Sequence, residues 1–123
     1  MTSQTLREAR KYEEASEKMI KKEERPDFHL SARTGWMNDP NGFSFYNGMY
    51  HMFYQYYPYE PRWNSMHWGH AVSKDLLHWG YLPAALAPDE AYDRDGSFSG
   101  SGVPLPHGRH LLMYTGVLRE RQA

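Results

Sequence analysis

The sequence predicts an all-β protein preceded by a single amphipathic helix, and three observations support this class. Residues 4–24 are rich in Glu, Lys, Arg and Ala, which are good helix formers. From Asp27 onward, short aromatic runs alternate with Gly, Pro, Asn and Asp, as expected of strands joined by turns. The dipeptide Asn47-Gly48 separates two such runs, and this is the strongest short signal for a β-hairpin.

The predicted helix covers residues 4–24. Its apolar side chains recur at steps of three and four residues and form one stripe, which comprises Leu6, Ala9, Tyr12, Ala15 and Met19. We expect the helix to end near Arg25-Pro26, because a proline disfavours the helical conformation in the residue before it. The stripe is expected to pack against the rest of the protein, with the charged face in solvent.

Six strands are predicted after the helix. They cover residues 42–46, 49–54, 67–73, 78–82, 97–103 and 110–117. The fourth is expected to stop at Pro83, which cannot donate to a ladder. Four sequential strands followed by another set suit one blade of a β-propeller and part of a second, although an open sandwich would share these signals. A closed propeller needs about four or more blades of about 40–50 residues, so we expect a propeller of this sequence to be a fragment with an open sheet edge.

Composition narrows the range of partners. The net charge is −1, which gives no electrostatic reason to expect nucleic acid or an anionic membrane. The chain has no cysteine, which excludes disulfides and thiolate zinc sites. No signal peptide and no long apolar segment is visible, so we expect a cytoplasmic protein. His67 and His70 stand three apart on a predicted strand and point to opposite faces, so we expect no metal site and no cofactor.

The sharpest motif is the segment 36–42, Trp-Met-Asn-Asp-Pro-Asn-Gly. Pro40 favours an extended conformation at Asp39, and Asn41-Gly42 then supplies a tight turn. These residues would hold one carboxylate rigidly at the start of a strand, as a catalytic nucleophile requires. The same four residues, Asp to Gly, also suit an ordinary turn, and composition alone favours that interpretation.

Further candidates for sugar contacts lie along the aromatic part of the chain. Gln55 ends a strand of aromatic residues, and its amide can both donate to and accept from sugar hydroxyls. Trp63 lies in a loop, where an indole can border the apolar face of a sugar, whereas Trp68 and Trp79 are expected in the core. The small residues of 96–102 allow a backbone to approach a ligand closely. Gln55 and this segment also have plain explanations, an edge polar residue and an ordinary strand.

Together these segments resemble glycoside hydrolase family 32, the family of invertases, sucrose-6-phosphate hydrolases and fructanases. The resemblance covers about residues 25–116 and rests on motifs in a fixed order. They are residues 36–42, 51–56, 63, 68–73, 75–79, 98–101 and 114–116. The resemblance implies a five-bladed β-propeller, of which this chain would form the first one to two blades. It further implies a helical extension over 1–25 and a truncated N-terminal part of the catalytic domain over 26–123.

The resemblance also implies roles for individual residues. Asp39 matches the family's catalytic nucleophile. The positions expected to flank or contact the fructosyl unit are Asn38, Pro40, Asn41, Gln55, Trp63, Phe98 and Ser99. The implied reaction is retaining hydrolysis of terminal β-D-fructofuranosides, namely sucrose, sucrose 6-phosphate or fructan, with a small sugar as the expected partner. Neither the sugar nor the oligomeric state is determined by these residues.

The sequence departs from the family pattern in two places. The acid/base glutamate of the family stands in a Glu-Cys pair and a further aspartate in an Arg-Asp-Pro triplet, and neither motif occurs here. We therefore expect an incomplete catalytic set and no activity from these 123 residues alone. Two alternatives stay open: a fructosyltransferase of the same fold, and a non-catalytic or degraded sugar-binding fragment.

Overall fold

The computed structural model describes residues 2–119. Within that range the chain forms one α-helix, a short 3₁₀ helix over Lys22–Glu24 and six strands. The helix is α1 (Gln4–Glu17), and the strands are β1 (Trp36–Tyr46), β2 (Met49–Tyr57), β3 (His67–Ser73), β4 (Trp79–Leu86), β5 (Gly96–Leu105) and β6 (Arg109–Val117). The all-β class with one helix in front is therefore confirmed.

Two antiparallel sheets follow the helix. The first has the order β1-β2-β3-β4, and the second consists of β5 and β6. The β1–β2 hairpin turns at Asn47 and Gly48, whose φ angles of 51° and 78° are the positive values that a type I′ turn requires. All six predicted strands are present, and they form a four-stranded meander followed by a two-stranded hairpin.

Several predicted strand ends are wrong: β2 and β5 run on to Tyr57 and Leu105, and β4 and β1 differ by more. β4 does not stop at Pro83 but continues to Leu86. Pro83 is tolerated for two reasons. β4 is an edge strand of its sheet. Pro83 also falls where the β3–β4 pairing is irregular, between the pairs His70–Leu82 and Trp68–Leu86, so its missing N–H breaks no ladder bond. β1 begins earlier than predicted, at Trp36, so Asp39 lies within a strand rather than at its start.

The predicted helix is too long and its buried face is misplaced. α1 ends at Glu17, and its inward residues are Leu6, Ala9 and Glu13, which share one helix face. Tyr12 and Met19, two members of the predicted stripe, are 39% and 82% exposed. Glu13 takes an inward position that was predicted to be apolar. The reason is that α1 packs on the edge strand β4, whose free backbone groups need polar partners.

The four-stranded sheet is a layer between α1 and the second sheet. On one face, Tyr54 and Tyr56 of β2 pack with Leu6 of the helix in the main hydrophobic cluster. On the other face, Gln55 of β2 and Trp68 of β3 reach the backbone of β5. Trp68 is fully buried, as predicted. This second face of the sheet, where β1, β2 and β5 meet, carries the candidate site.

Neither helix formed by residues 2–119 has the length and apolar character that a membrane crossing requires.

Candidate active site

A pocket of about 140 Å³ opens between β1, β2 and the start of β5. The residues that line it are Asn38, Asp39, Gln55, Trp63, Met66, Phe98 and Ser99. Six of these seven are candidates from the sequence, brought together from four separate segments. Such a volume is well below that of pockets for drug-sized ligands and suits a single sugar ring.

Asn38 and Asp39 line the same pocket because β1 carries a bulge. Met37 pairs with Tyr56 and Pro40 with Tyr54, so two residues of β1 stand opposite Gln55 alone. In a regular strand, successive side chains point to opposite faces. The extra residue of a bulge re-aims a side chain, and here the result is an amide and a carboxylate side by side.

A second bulge faces the first one from β5. Phe98 pairs with Thr115 and Gly100 with Tyr114, which leaves Ser99 as an extra residue. Phe98 and Ser99 therefore both line the pocket, although they are consecutive. A β-bulge in each of the two pocket walls thus directs two adjacent side chains toward the pocket.

Gln55 forms the floor of the pocket. It is 2% exposed, and its Nε2 donates to the carbonyl of Ser97 at 2.9 Å. Its Oε1 has no hydrogen-bond partner among residues 2–119. A buried acceptor without a partner costs about 1–3 kcal/mol, so a sugar hydroxyl that donates to it would offset that cost.

The polar groups around Asp39 differ in how far they are satisfied. Trp36 Nε1 donates to Asn38 Oδ1 at 3.0 Å, which leaves the NH₂ group of Asn38 available to donate to a ligand. Asp39 is exposed, and it is the one ionisable side chain among the residues that line the pocket. Burial lowers the pKa of His67, the residue after Met66 in the chain, which favours its neutral imidazole.

Aromatic side chains form the rim. Trp63 is 45% exposed, and its ring meets that of Phe98 edge-on, with centroids 6.2 Å apart. Two aromatic faces beside amide and hydroxyl groups are typical of sugar sites, because the apolar face of a sugar ring packs on aromatic surface.

Two predicted contact residues lie outside the pocket wall. Pro40 is exposed and does not line the pocket, and Asn41 is 4% exposed within the sheet, where it pairs with Phe53. Sequence reasoning missed Met66. A methionine in a loop carries no chemical signal, and only the hydrogen bond from Ser97 N–H to its carbonyl, at 2.9 Å, explains its place beside β5.

Among residues 2–119, no group of three His, Cys, Asp or Glu side chains is arranged to hold a metal ion. The pocket itself offers one carboxylate and two side-chain amides. Its chemistry is therefore that of a nucleophile or base beside hydrogen-bonding groups.

Comparison with known proteins agrees with this geometry. The family profile described as "Glycosyl hydrolases family 32 N-terminal domain" matches residues 29–123. A sucrose-6-phosphate hydrolase of Zymomonas mobilis is 55% identical over 102 residues, which is 83% of this chain and 20% of that protein. Beta-fructofuranosidase 1 of Zea mays is 49% identical over 100 residues, covering 81% of this chain and 15% of the relative.

Solved structures agree as well. The GH32 beta-fructofuranosidase BmSUC1 of Bombyx mori superposes with a TM-score of 0.80 at 43% identity, over 95% of this chain and 24% of that one. A mutant of the same enzyme in complex with sucrose superposes with a TM-score of 0.75 at 42% identity, over 86% of this chain and 22% of that one. This chain thus spans about a fifth of the length of the proteins it matches. The profile match and these identities show that the chain belongs to glycoside hydrolase family 32.

Proposed function

We propose that this chain supplies the nucleophile side of an active site that hydrolyses terminal β-D-fructofuranosides, with sucrose or its 6-phosphate as substrate. The observation that carries the proposal is the pocket in which the Asp39 carboxylate stands beside Gln55 and Ser99. The names of the relatives support it: one is a sucrose-6-phosphate hydrolase, and the silkworm enzyme has been solved with sucrose.

Asp39 acts as the nucleophile in this proposal. One of its oxygens attacks the anomeric carbon, the bond from that carbon to the leaving oxygen breaks, and a fructosyl ester forms. Water then adds to the anomeric carbon and gives one proton to the group that protonated the leaving oxygen, the ester bond breaks, and the Asp39 carboxylate is regenerated. The first step needs a proton for the leaving oxygen, and a retaining enzyme places the donor carboxyl about 5–5.5 Å from the nucleophile.

The other residues of the pocket hold the sugar. Gln55 Oε1 accepts from a hydroxyl, the Asn38 NH₂ group donates to another, and the Ser99 hydroxyl does either. Trp63 and Phe98 pack on the apolar face of the ring. Pro40 and Asn41 follow the bulge in β1 and lie outside the pocket wall, so no contact with the sugar is assigned to them.

The described part of the chain provides one half of the carboxyl pair. Asp39 is the single carboxylate among the lining residues, so the acid must come from residues other than those of this pocket wall. We therefore expect the 123-residue chain to bind fructose but not to hydrolyse sucrose. The two sheets, in the same proposal, are the first blade and part of the second in a five-bladed propeller, and residues 1–25 are a helical extension of it.

A chimaeric enzyme tests the function. This chain would replace the segment that it matches in the Zymomonas mobilis enzyme, which then supplies the remaining residues. We expect the folded chimaera to release free fructose from sucrose and from sucrose 6-phosphate, with retained anomeric configuration in the first product detected by NMR. A chimaera that folds like its parent but releases no fructose would contradict the proposal. Oligosaccharides in place of free fructose would indicate a transferase.

A further inference from the structure

Two side chains on neighbouring strands donate hydrogen bonds to the backbone of β5. Gln55 and Trp68 are directly opposite each other in the β2–β3 ladder, so their side chains share one face of the sheet. Gln55 Nε2 donates to the carbonyl of Ser97 at 2.9 Å, and Trp68 Nε1 donates to the carbonyl of Phe98 at 3.0 Å. Consecutive carbonyls of one strand are thus held by a cross-strand pair of donors.

These bonds meet β5 just before its bulge. The amide of Ser97 also donates to the carbonyl of Met66, at 2.9 Å, so three hydrogen bonds fasten the start of β5 to β2, to β3 and to the loop before β3. Ser99, the bulged residue, has no regular partner in the ladder with β6. The Ser99 carbonyl accepts from the Thr115 hydroxyl of β6 at 3.1 Å, and the Phe98 carbonyl on its other side is held from the first sheet, so the position of Ser99 depends on both contacts.

The buried indole N–H of Trp68 needs a hydrogen-bond acceptor inside the protein. The side chain is fully buried, and its N–H is a donor without acceptor capacity. A buried donor needs a partner, and the Phe98 carbonyl is that partner. The contact therefore persists whenever β5 is docked, and it makes Trp68 more than a filler of core volume.

We infer that Trp68 is a positioning residue of the sugar pocket, whose indole N–H fixes the Phe98 carbonyl and thereby aims the Phe98 ring and the Ser99 hydroxyl across the pocket from Asp39. This inference rests on the proposed sugar-binding function. It does not require Trp68 itself to touch the sugar, since Trp68 does not line the pocket.

The test removes the indole N–H with two variants, the first of which keeps the side-chain volume. In the 123-residue chain, Trp68 is replaced by benzothienylalanine, in which sulfur stands for the indole nitrogen, and separately by Phe (Trp68→Phe). The same two replacements at Trp79, a partly buried tryptophan of the main core, serve as controls. Fructose affinity is measured by NMR from the Trp63 indole and Ser99 amide signals, and hydrogen exchange is measured at the Ser97 amide.

We expect both Trp68 variants to bind fructose about two- to tenfold more weakly, the range for one net hydrogen bond. Exchange at Ser97 should accelerate by a similar factor, while the Trp79 variants change neither quantity. Wild-type affinity and exchange in the benzothienylalanine variant would overturn the inference, and so would an equal loss in the Trp79 variants. If the wild-type chain binds no fructose, the proposed function fails, and the Ser97 exchange rate still decides whether Trp68 holds β5.

Discussion

Glu13, on the helix at the outer edge of the four-stranded sheet, and Asp39, on its pocket side, are both carboxylates, but their surroundings are opposite in kind. At the outer edge, Glu13 is 1% exposed and accepts from the Ala84 amide at 2.7 Å and from the Tyr56 hydroxyl at 3.0 Å. Arg33 lies 3.3 Å from it. At the pocket, Asp39 is exposed within a bulge. Glu13 thus has its oxygens occupied, whereas Asp39 keeps them accessible.

This difference separates a structural carboxylate from a reactive one. Burial raises the pKa of Glu13, and the Ala84 amide, the Tyr56 hydroxyl and Arg33 oppose that rise. Arg10 completes the arrangement by donating to the Ala84 carbonyl at 2.9 Å, so α1 satisfies both backbone groups of one edge residue. A carboxylate surrounded by donors holds the helix in place, but a nucleophile needs a free lone pair aimed at a cavity.

The largest effect is expected at the pocket. In the chimaera, Asp39→Asn should lower turnover of sucrose by about four orders of magnitude, because the amide cannot form the ester, with no loss of stability. Steady-state kinetics and thermal denaturation measure the two quantities. The exposed helix residue Glu14 is the control, since Glu14→Gln should leave turnover unchanged. Turnover within tenfold of wild type in Asp39→Asn would remove Asp39 from its role.

The next effect concerns the outer edge. Glu13→Ala leaves the Ala84 amide without an acceptor and Arg33 with Glu17 as its remaining partner, so we expect a loss of about 3 kcal/mol in the free energy of unfolding. Urea denaturation of the 123-residue chain measures it. Glu14→Ala, on the exposed side of the same helix, should change stability by less than about 0.5 kcal/mol. Equal effects of the two changes would show that Glu13 does not hold the helix.

A glycine pair sharpens the contrast between the sheet interior and its surface. A Cβ at Gly69 of β3 would lie 2.1 Å from the ring of Tyr54, whereas a Cβ at Gly80 of β4 meets nothing within 4 Å. Gly69→Ala should therefore cost about 1–3 kcal/mol through overpacking. Gly80→Ala should be neutral or slightly stabilising, and destabilisation of the same size at both positions would argue against this packing.

The smallest effect, counted per pH unit, is a pH dependence of stability. Burial, with His51 and His110 nearby, lowers the pKa of His70 to about 3. Between about pH 6.5 and pH 3, the unfolded chain binds a proton here that the folded chain does not, so stability falls as the pH is lowered. The raised pKa of Glu13 acts in the opposite direction, because the folded state takes up that proton first.

Replacement of His70 isolates its share of that dependence. His70→Gln should remove a slope of at most about 1.4 kcal/mol per pH unit, the value for one proton. Urea denaturation between about pH 6.5 and pH 4 measures it, with His29→Gln in an exposed loop as the control. An unchanged slope in His70→Gln would show that this imidazole is not held neutral by its surroundings.

Local signals predicted most of the strands but not their registers. Asn47-Gly48 determines the first hairpin because both residues tolerate positive φ, and this information lies in two adjacent residues. The bulges at Asn38–Asp39 and at Ser99 depend on two paired strands at once. Pro83 was misjudged for the same reason, since only the sheet order shows that β4 is an edge.

The candidate site residues were predicted from several motifs in a fixed order rather than from single residues. Asp39, Gln55 and Trp63 line the pocket, but taken alone the first suits an ordinary turn and the second an edge position, so the family resemblance carried their selection. Met66 was not found, and Glu13 was assigned to solvent, because a methionine and one more glutamate in a charged helix carry no such signal. Their places follow from the docking of β5 and of α1, which only the folded chain defines.

The opposed bulges make the pocket sensitive to chain length rather than to composition. Because side chains alternate with a period of two, removal of a single residue from either bulge would restore regular alternation and turn one pocket residue to the far side of the sheet. Single-residue deletions there should thus abolish sugar binding even where substitutions at the same positions only weaken it. Any redesign of substrate preference should therefore vary side chains while the number of residues in both segments is kept.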